Sequence, residues 1–178
     1  MKPLTVPCRV LMPLAREALC RGTHVRMTVT GTSMRPFIRD GDTVELAALG
    51  SKAVAVGDVV LAKRADGIYF LHRVVRVEGD RFYLAGDALE HEEGPFSGAS
   101  LVGCVVNVQR AAKLISLQSA HWQLAGILWI KMGPLRPYLL RWAGRIKRAV
   151  MRFRAQIPHS FTAGMVRLHS TEKRPDVL

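Results

Sequence analysis

The chain has 178 residues and a formal net charge of +12, and 49% of its residues are hydrophobic. This length suits one domain with an appendage, and the apolar content excludes wholesale disorder. Residues 1–93 carry 13 Lys and Arg against 12 Asp and Glu, whereas residues 94–170 carry 11 Lys and Arg and no acid. The C-terminal half is therefore expected to meet an acidic partner, either anionic lipid or nucleic acid.

The N-terminus does not have the composition of a secretory signal. Prolines and charged side chains interrupt every apolar run there, and a signal needs such a run. Residues 8–21 instead predict a short amphipathic helix, with Pro13 in its first turn and Gly22 as its stop. This helix is expected to be a lid or packing helix, too short for a membrane anchor.

Residues 24–30 alternate between apolar and polar side chains, which predicts a half-buried strand. Gly31 ends this strand, and Ser33 follows on a tight turn. Gly and Asp turns then separate further predicted strands, and residues 86–100 are expected to form a polar loop. These strands cover residues 43–48, 58–63, 68–77, 81–85 and 101–108. The pattern indicates a mainly β domain of barrel or sandwich type.

The composition changes after Arg110. Residues 111–130 are predicted to be helical, and residues 137–154 form an amphipathic pattern with arginines on one face. That face is expected either to lie on an anionic membrane surface or to be the solvated face of a helix that packs on the β domain with its other side. Specific nucleic-acid binding is not expected, because the sequence has no helix-turn-helix or zinc pattern.

The domain organisation follows from these elements. We predict an N-terminal helix at 1–22, a β catalytic domain at 23–110, a basic helical extension at 111–157 and a loose tail at 158–178. The apolar stretch 114–130 is a weak transmembrane candidate, since it is at the bottom of the spanning range. The expected location is cytoplasmic or peripheral to a membrane.

No cofactor or metal is expected. The three cysteines, Cys8, Cys20 and Cys104, lack metal-ligand spacing and are interpreted as small buried hydrophobes. His91 lies in an acidic loop without a matching ligand set.

A nucleophile, a base and an orienting acid are available in the central stretch. A serine hydroxyl attacks only when a base takes its proton, and histidine is suited to this near neutral pH. An aspartate on the far ring nitrogen would fix the tautomer. Ser33, His72 and Asp87 are the candidates, although their spacing alone does not bring them together. The alternative roles are a turn hydroxyl, a half-buried strand residue and a turn cap.

The motifs around these residues resemble a known superfamily. Ser33-Met34-Arg35-Pro36 with Asp40-Gly41-Asp42 is similar to the nucleophile box of type I signal peptidases and LexA-type self-cleaving proteins. Gly57-Asp58-Val59-Val60 resembles the second box, Leu71-His72-Arg73-Val74-Val75 the base box, and Gly86-Asp87-Ala88 the third box. The resemblance covers residues 23–108 and implies the mostly β fold of that superfamily. Histidine as base is typical of its endoplasmic-reticulum and archaeal signal peptidases.

The resemblance implies peptide-bond hydrolysis through an acyl-serine. Ser33 would be the nucleophile, His72 the general base and Asp87 its orienter. The Ser33 N–H and Thr32 would help bind the oxyanion, and Met34 would line the substrate groove or pack in the core. Lys63 is the rival base, and Arg73 and Arg76 are interpreted as solvated strand residues.

Three departures from the pattern qualify these roles. Gly31 has no side chain where some signal peptidases carry a second hydroxyl, and Ala88-Leu89 replaces a more polar continuation. The usual N-terminal anchor is also not expected, which points to a specialised enzyme acting on a peptide or protein precursor. The alternatives are a non-catalytic peptide-binding module of the same fold and a LexA-like self-cleaving regulator.

Overall fold

The computed structural model describes residues 8–50 and 53–135. Helix α1 spans Cys8–Cys20, and α2 spans Ala120–Lys131. The described ranges contain eight strands, which are β1 Val25–Thr28, β2 Thr43–Ala47, β3 Val59–Lys63, β4 Tyr69–Glu78, β5 Arg81–Ala85, β6 Glu93–Ser97, β7 Leu101–Arg110 and β8 Lys113–Ser116. Short 3₁₀ helices follow at Gly98–Ser100 and Gly133–Leu135. The mainly β fold class is confirmed.

The strands form one antiparallel sheet in the order β1-β2-β7-β3-β4-β5-β6. Strand β3 pairs with the first half of β7, and β8 pairs with residues 107–110 at its end. Strand β3 is central, and Val59 to Ala62 are all buried because both faces of the strand are covered. One apolar cluster includes Leu46, Leu61 and Val108, and a second includes Val60 and Leu84. The alternation of β3 side chains between the two clusters holds the sheet in place.

Helix α1 is the packing helix that the sequence predicted. Met12, Ala15 and Leu19 are buried at helical spacing, and they lie on the face that packs against the sheet. Gly22 ends the helix with a positive φ of 78°, and its N–H donates to the carbonyl of Leu19. Pro13 lies inside the helix and not in its first turn, because the helix already begins at Cys8.

Two predicted segments differ from the structure. The expected loop at 86–100 contains β6, whose Gly94-Pro95 pair is a typical loop signal. The expected helix at 111–130 begins only at Ala120, because β8 precedes it. The turn between β7 and β8 places Ala111 at φ 51°, so no glycine marks it in the sequence. Two predicted buried cysteines are less covered than expected, since Cys20 is exposed and Cys104 half-buried.

The proposed transmembrane candidate at 114–130 is divided between β8 and α2. Within residues 8–50 and 53–135, no helix has the length and apolarity needed to cross a membrane. The amphipathic pattern at 137–154 and the tail at 158–178 lie outside the described residues.

Candidate active site

Ser33 lies in the turn that joins β1 to β2. The Gly31 N–H donates to Asp40 Oδ1 over 2.9 Å, and the Gly41 N–H donates to the carbonyl of Val29 over 2.9 Å. Met34 and Ile38 of this turn are buried in the first apolar cluster. The turn is thus closed by one hydrogen bond to a side-chain carboxylate and one between backbone groups, and it is anchored by two apolar side chains.

Asp42 and Arg110 hold the end of the same turn. Asp42 is buried, and Arg110 donates to its Oδ2 through Nη2 over 2.7 Å and to the Phe37 carbonyl over 2.8 Å. Burial alone would raise the pKa of Asp42. The hydrogen bonds from Arg110 and from the Arg39 N–H outweigh burial and hold this pKa below its ordinary value. A charged carboxylate therefore ties the Ser33 turn to the end of β7.

The side chains next to Ser33 differ in exposure. Ser33 is half-buried and Thr32 is exposed, whereas Met34 is 3% exposed and packs in the core. Of the two roles considered for Met34, the structure therefore shows core packing. The Ser33 N–H donates no hydrogen bond to any residue in the described part of the chain. An unused backbone donor beside a nucleophile is what an oxyanion hole requires.

The turn after β5 lies directly against Ser33. The Ala88 N–H donates to the Ser33 carbonyl over 2.8 Å. A Cβ atom added to Gly86 would stand 2.8 Å from the Ser33 carbonyl oxygen and 2.9 Å from the Leu89 side chain. Gly86 is therefore required by the close approach of two backbones.

His72 is a buried residue of β4. It is 5% exposed, pairs with Val60 of β3, and lies 4.9 Å from the Phe70 ring in an edge-to-face arrangement. Burial lowers the pKa of His72 and Arg64 lowers it further, while Glu93 opposes the shift. His72 is therefore neutral at neutral pH, which is the form that accepts a proton.

The register of β4 and β5 relates His72 to Ser33. Arg73 pairs with Ala85, and continuing this antiparallel register by one residue puts Gly86 opposite His72. Residues opposite each other project to the same face of a sheet. The Ser33 carbonyl lies against Gly86, so the nucleophile turn meets the turn that follows β5, the strand that pairs with the His72 strand. Within residues 8–50 and 53–135, no hydrogen bond joins the two side chains, and His72 Nδ1 is buried without a hydrogen-bond partner.

Asp87 differs from its predicted role. Arg73 Nε donates to Asp87 Oδ1 over 2.7 Å, and Arg73 Nη2 donates to Oδ2 over 2.8 Å. The physical reason is strand alternation, because adjacent residues of β4 project to opposite faces. Arg73 therefore faces Asp87, and His72 turns to the other side. In the structure the carboxylate of Asp87 accepts hydrogen bonds from Arg73, whereas the sequence interpretation had it orient His72.

Arg73 is the residue that the sequence interpretation missed. It was expected to be solvated, but its side chain is 3% exposed. Its Nη1 donates to the Gly57 carbonyl over 2.7 Å, and its guanidinium lies 4.7 Å from the Phe37 ring centre. The available signal was its position between His72 and Val74 in a strand with otherwise apolar neighbours. Arg73 thus connects the base strand, the Asp87 turn, the Gly57 turn and the nucleophile turn.

Helix α2 covers this arginine and the Asp87 turn. Trp129 Nε1 donates to the Asp87 carbonyl over 2.8 Å, and its ring packs edge-on against Phe37 at 5.9 Å. Trp122 packs against the same Phe37 ring at 5.9 Å. The helix that follows the sheet therefore supports the site from the Arg73 side.

Lys63, the rival base, is exposed at the end of β3. Its ammonium lies 5.6 Å from the centre of the Tyr69 ring. Lys63 pairs with Tyr69 in the β3–β4 register, three positions away from the pair formed by Val60 and His72. Among the described residues, no group of three His, Cys, Asp or Glu side chains is placed to hold a metal ion.

Comparison with known proteins places the chain in a family. Residues 9–106 match the family model described as Peptidase S24-like. No curated protein matches the chain. The matched span contains Ser33, His72 and Asp87 and covers more than half of the 178 residues. The chain therefore belongs to the Peptidase S24-like family, within the superfamily of LexA and the signal peptidases.

Proposed function

We propose that the chain is a serine endopeptidase that cleaves a peptide or protein precursor through an acyl-Ser33 intermediate. The observation that carries the proposal is the contact of Ser33 with the Gly86 turn, which follows the strand that pairs with the His72 strand. Membership of the Peptidase S24-like family supports serine-peptidase chemistry. Histidine as the base makes it similar to signal peptidases of the endoplasmic-reticulum and archaeal type.

In the proposed mechanism, Ser33 Oγ attacks the carbonyl carbon of the scissile bond while His72 Nε2 takes the hydroxyl proton. The Ser33 N–H, which has no other partner in the described part of the chain, donates to the developing oxyanion. His72 then gives its proton to the leaving amine. Water hydrolyses the acyl-enzyme, with His72 again taking the proton.

The neutral state of His72 supports this role. A protonated imidazole cannot accept the serine proton, so a base must hold its free form at working pH. Burial beside Phe70 favours the neutral imidazole. In the proposed site Asp87 acts through Arg73, by fixing the strand and turns around the dyad.

Covalent labelling tests the proposal directly. A penem-type acylating probe should add one acyl group to the wild-type chain, detected by intact mass spectrometry, and none to Ser33→Ala. Ser116→Ala is the matched control, since Ser116 is an exposed serine on β8, and it should label like wild type. Equal labelling of Ser33→Ala and wild type would reject Ser33 as the nucleophile.

A non-catalytic peptide-binding module is the second candidate. It is favoured by one observation, namely that no hydrogen bond joins Ser33 to His72 in the described part of the chain. A binding module would leave every candidate precursor intact. A peptidase should cleave a precursor or its own chain, and Ser33→Ala and His72→Ala should both abolish that cleavage.

A further inference from the structure

A groove of about 790 Å³ opens beside the base strand. Its walls come from three separate segments, which are α1 with Arg16, the end of β3 with Lys63 and Arg64, and β6 with Glu93 and Phe96. This volume is in the range of sites that hold a ligand or a few residues of a peptide. None of the sequence motifs that define the dyad lies in it.

The groove has excess positive charge. Arg64 is paired with Glu93 over 2.5 Å, so these two charges balance. Arg16 and Lys63 form no ion pair within residues 8–50 and 53–135. Two uncompensated cations in one groove attract a ligand that carries carboxylates or other anions.

The shape of the groove favours an extended polypeptide over a small anion. Strand β6 is last in the sheet order, and no described strand pairs with its outer edge. The unpaired edge offers its C=O groups, and the N–H groups of residues other than Pro95, to a chain that adds as a further strand. Phe96 and Pro95 supply apolar surface beside that edge. Free phosphate or a nucleic acid would use the cations and leave the strand edge unused.

The groove is continuous with the surroundings of His72. The Phe96 ring lies 5.5 Å from Phe70, which lies 4.9 Å from His72. The Arg64 guanidinium lies 5.2 Å from the Phe70 ring centre. One aromatic ring therefore separates the groove wall from the proposed base.

We propose that this groove binds an acidic, extended segment of the substrate, with Arg16 and Lys63 receiving its carboxylates and β6 receiving its backbone. The assignment rests on the proposed peptidase function, because it names the chemistry of that enzyme's substrate. It places acidic residues at a distance from the scissile bond, where they select the precursor.

Binding is measured first, on the full chain carrying Ser33→Ala. A short fluorescein-labelled peptide rich in glutamate is compared by anisotropy with the same peptide carrying glutamine. Arg16→Gln with Lys63→Gln should weaken binding of the glutamate peptide by roughly threefold to tenfold. Added salt should weaken it further, since exposed charges are screened. Lys113→Gln with Lys131→Gln is the matched control, because it removes the same charge from exposed positions outside the groove that also form no ion pair within residues 8–50 and 53–135.

Three results would overturn the groove assignment. The two peptides could bind equally, or the control pair could lose as much affinity as the groove pair. A single-stranded oligonucleotide could also bind more tightly than the glutamate peptide and displace it.

A cleavage experiment separates this inference from the proposed function. The wild-type chain is incubated with a peptide library, and the products are read by mass spectrometry. If the wild-type chain preferentially cleaves peptides with acidic segments, and the Arg16→Gln with Lys63→Gln variant loses that preference, both the peptidase function and the groove assignment are supported. Cleavage without acidic preference would reject the groove and keep the peptidase. Acidic binding without any cleavage would reject the peptidase and keep the groove.

Discussion

Arg73 and Asp87 form a buried ion pair, joined by two hydrogen bonds of 2.7 and 2.8 Å, with side-chain exposures of 3% and 2%. The pair connects β4 to the turn that carries Gly86 and Ala88, and this turn lies against Ser33. The same arginine is bonded to Gly57 and packed over Phe37. The geometry around the proposed nucleophile therefore depends on an arginine that faces away from the proposed base.

Asp87→Asn should strongly destabilise the fold. The amide keeps the shape of the side chain but leaves the Arg73 charge buried without its counter-charge. Removing one partner of a buried pair costs about 3–5 kcal/mol. Urea unfolding should show this loss in the free energy of unfolding. Glu92→Gln is the control, because Glu92 pairs with Arg76 where both are exposed, and it should leave the free energy of unfolding almost unchanged. An Asp87→Asn loss as small as that of the control would contradict the structural role of the pair.

Gly86→Ala should lower hydrolysis more than it lowers stability. The added methyl would meet the Ser33 carbonyl at 2.8 Å, so the nucleophile turn must shift. Displacing a nucleophile by about 1 Å costs on the order of 10²-fold in rate, whereas overpacking costs about 1–3 kcal/mol of stability. The rate constant kcat and the urea midpoint should be measured on the same preparation. Gly133→Ala is the control, because nothing lies within 4 Å of its added methyl. Unchanged kcat in Gly86→Ala would argue against the placement of Ser33.

The acid limb of the pH profile should report His72. Its pKa is lowered from the ordinary value of 6.5 by burial, so the neutral base persists below that pH. The rate kcat/KM should be constant near neutrality and fall in acid with a midpoint below pH 6.5. Stability should follow the same sign. Because the unfolded chain binds this proton more readily, the contribution of His72 is full above pH 6.5 and is lost as pH falls through the folded pKa.

Two neutralising variants should move that midpoint in opposite directions. The charge of Arg64 lowers the pKa of His72 and the charge of Glu93 raises it. Arg64→Gln should therefore move the acid limb to higher pH, and Glu93→Gln should move it to lower pH. If both variants moved the acid midpoint in the same direction, or if neither moved it, a group other than His72 would be responsible for the acid limb.

The sequence predicted most of the fold and only part of the site. Alternation and Gly-Asp turns are local signals, so β1 to β5 and β7 appear near their predicted positions. The local sequence around Arg73 did not reveal its role. Its hydrogen-bond partners, Asp87 and Gly57, are distant in sequence and come near it only in the folded sheet. An arginine on a strand is usually solvated. That α2 covers Arg73 is visible only in the folded structure. Strand β8 was missed for another reason, because Ala111 forms the preceding turn without a glycine to mark it.

Arg110→Lys should loosen the Ser33 turn. Lysine keeps the charge, but it cannot donate to Asp42 and to the Phe37 carbonyl together as the guanidinium does. Losing one such bond to a charged group costs about 1–3 kcal/mol. Hydrogen exchange should become faster at the amides of Ile38 and Gly41, which close the turn. Lys113→Arg, on neighbouring β8, is the control and should leave those rates unchanged. Equal exchange rates in Arg110→Lys and wild type would show that Arg110 does not hold the Ser33 turn in place.

Gly126→Ala should destabilise the chain, although helix propensity predicts the opposite. Alanine is better than glycine inside a helix by about 1 kcal/mol, and Gly126 lies within α2. However, its added methyl would stand 2.6 Å from Arg73 Nη1, and that group is already fixed by Gly57 and Asp87. Because the guanidinium cannot move without breaking these bonds, α2 must move away from the sheet. Trp129, which is bonded to the Asp87 carbonyl, should change its fluorescence, and the urea midpoint should fall. A midpoint that rises would mean that α2 does not pack on Arg73 in solution.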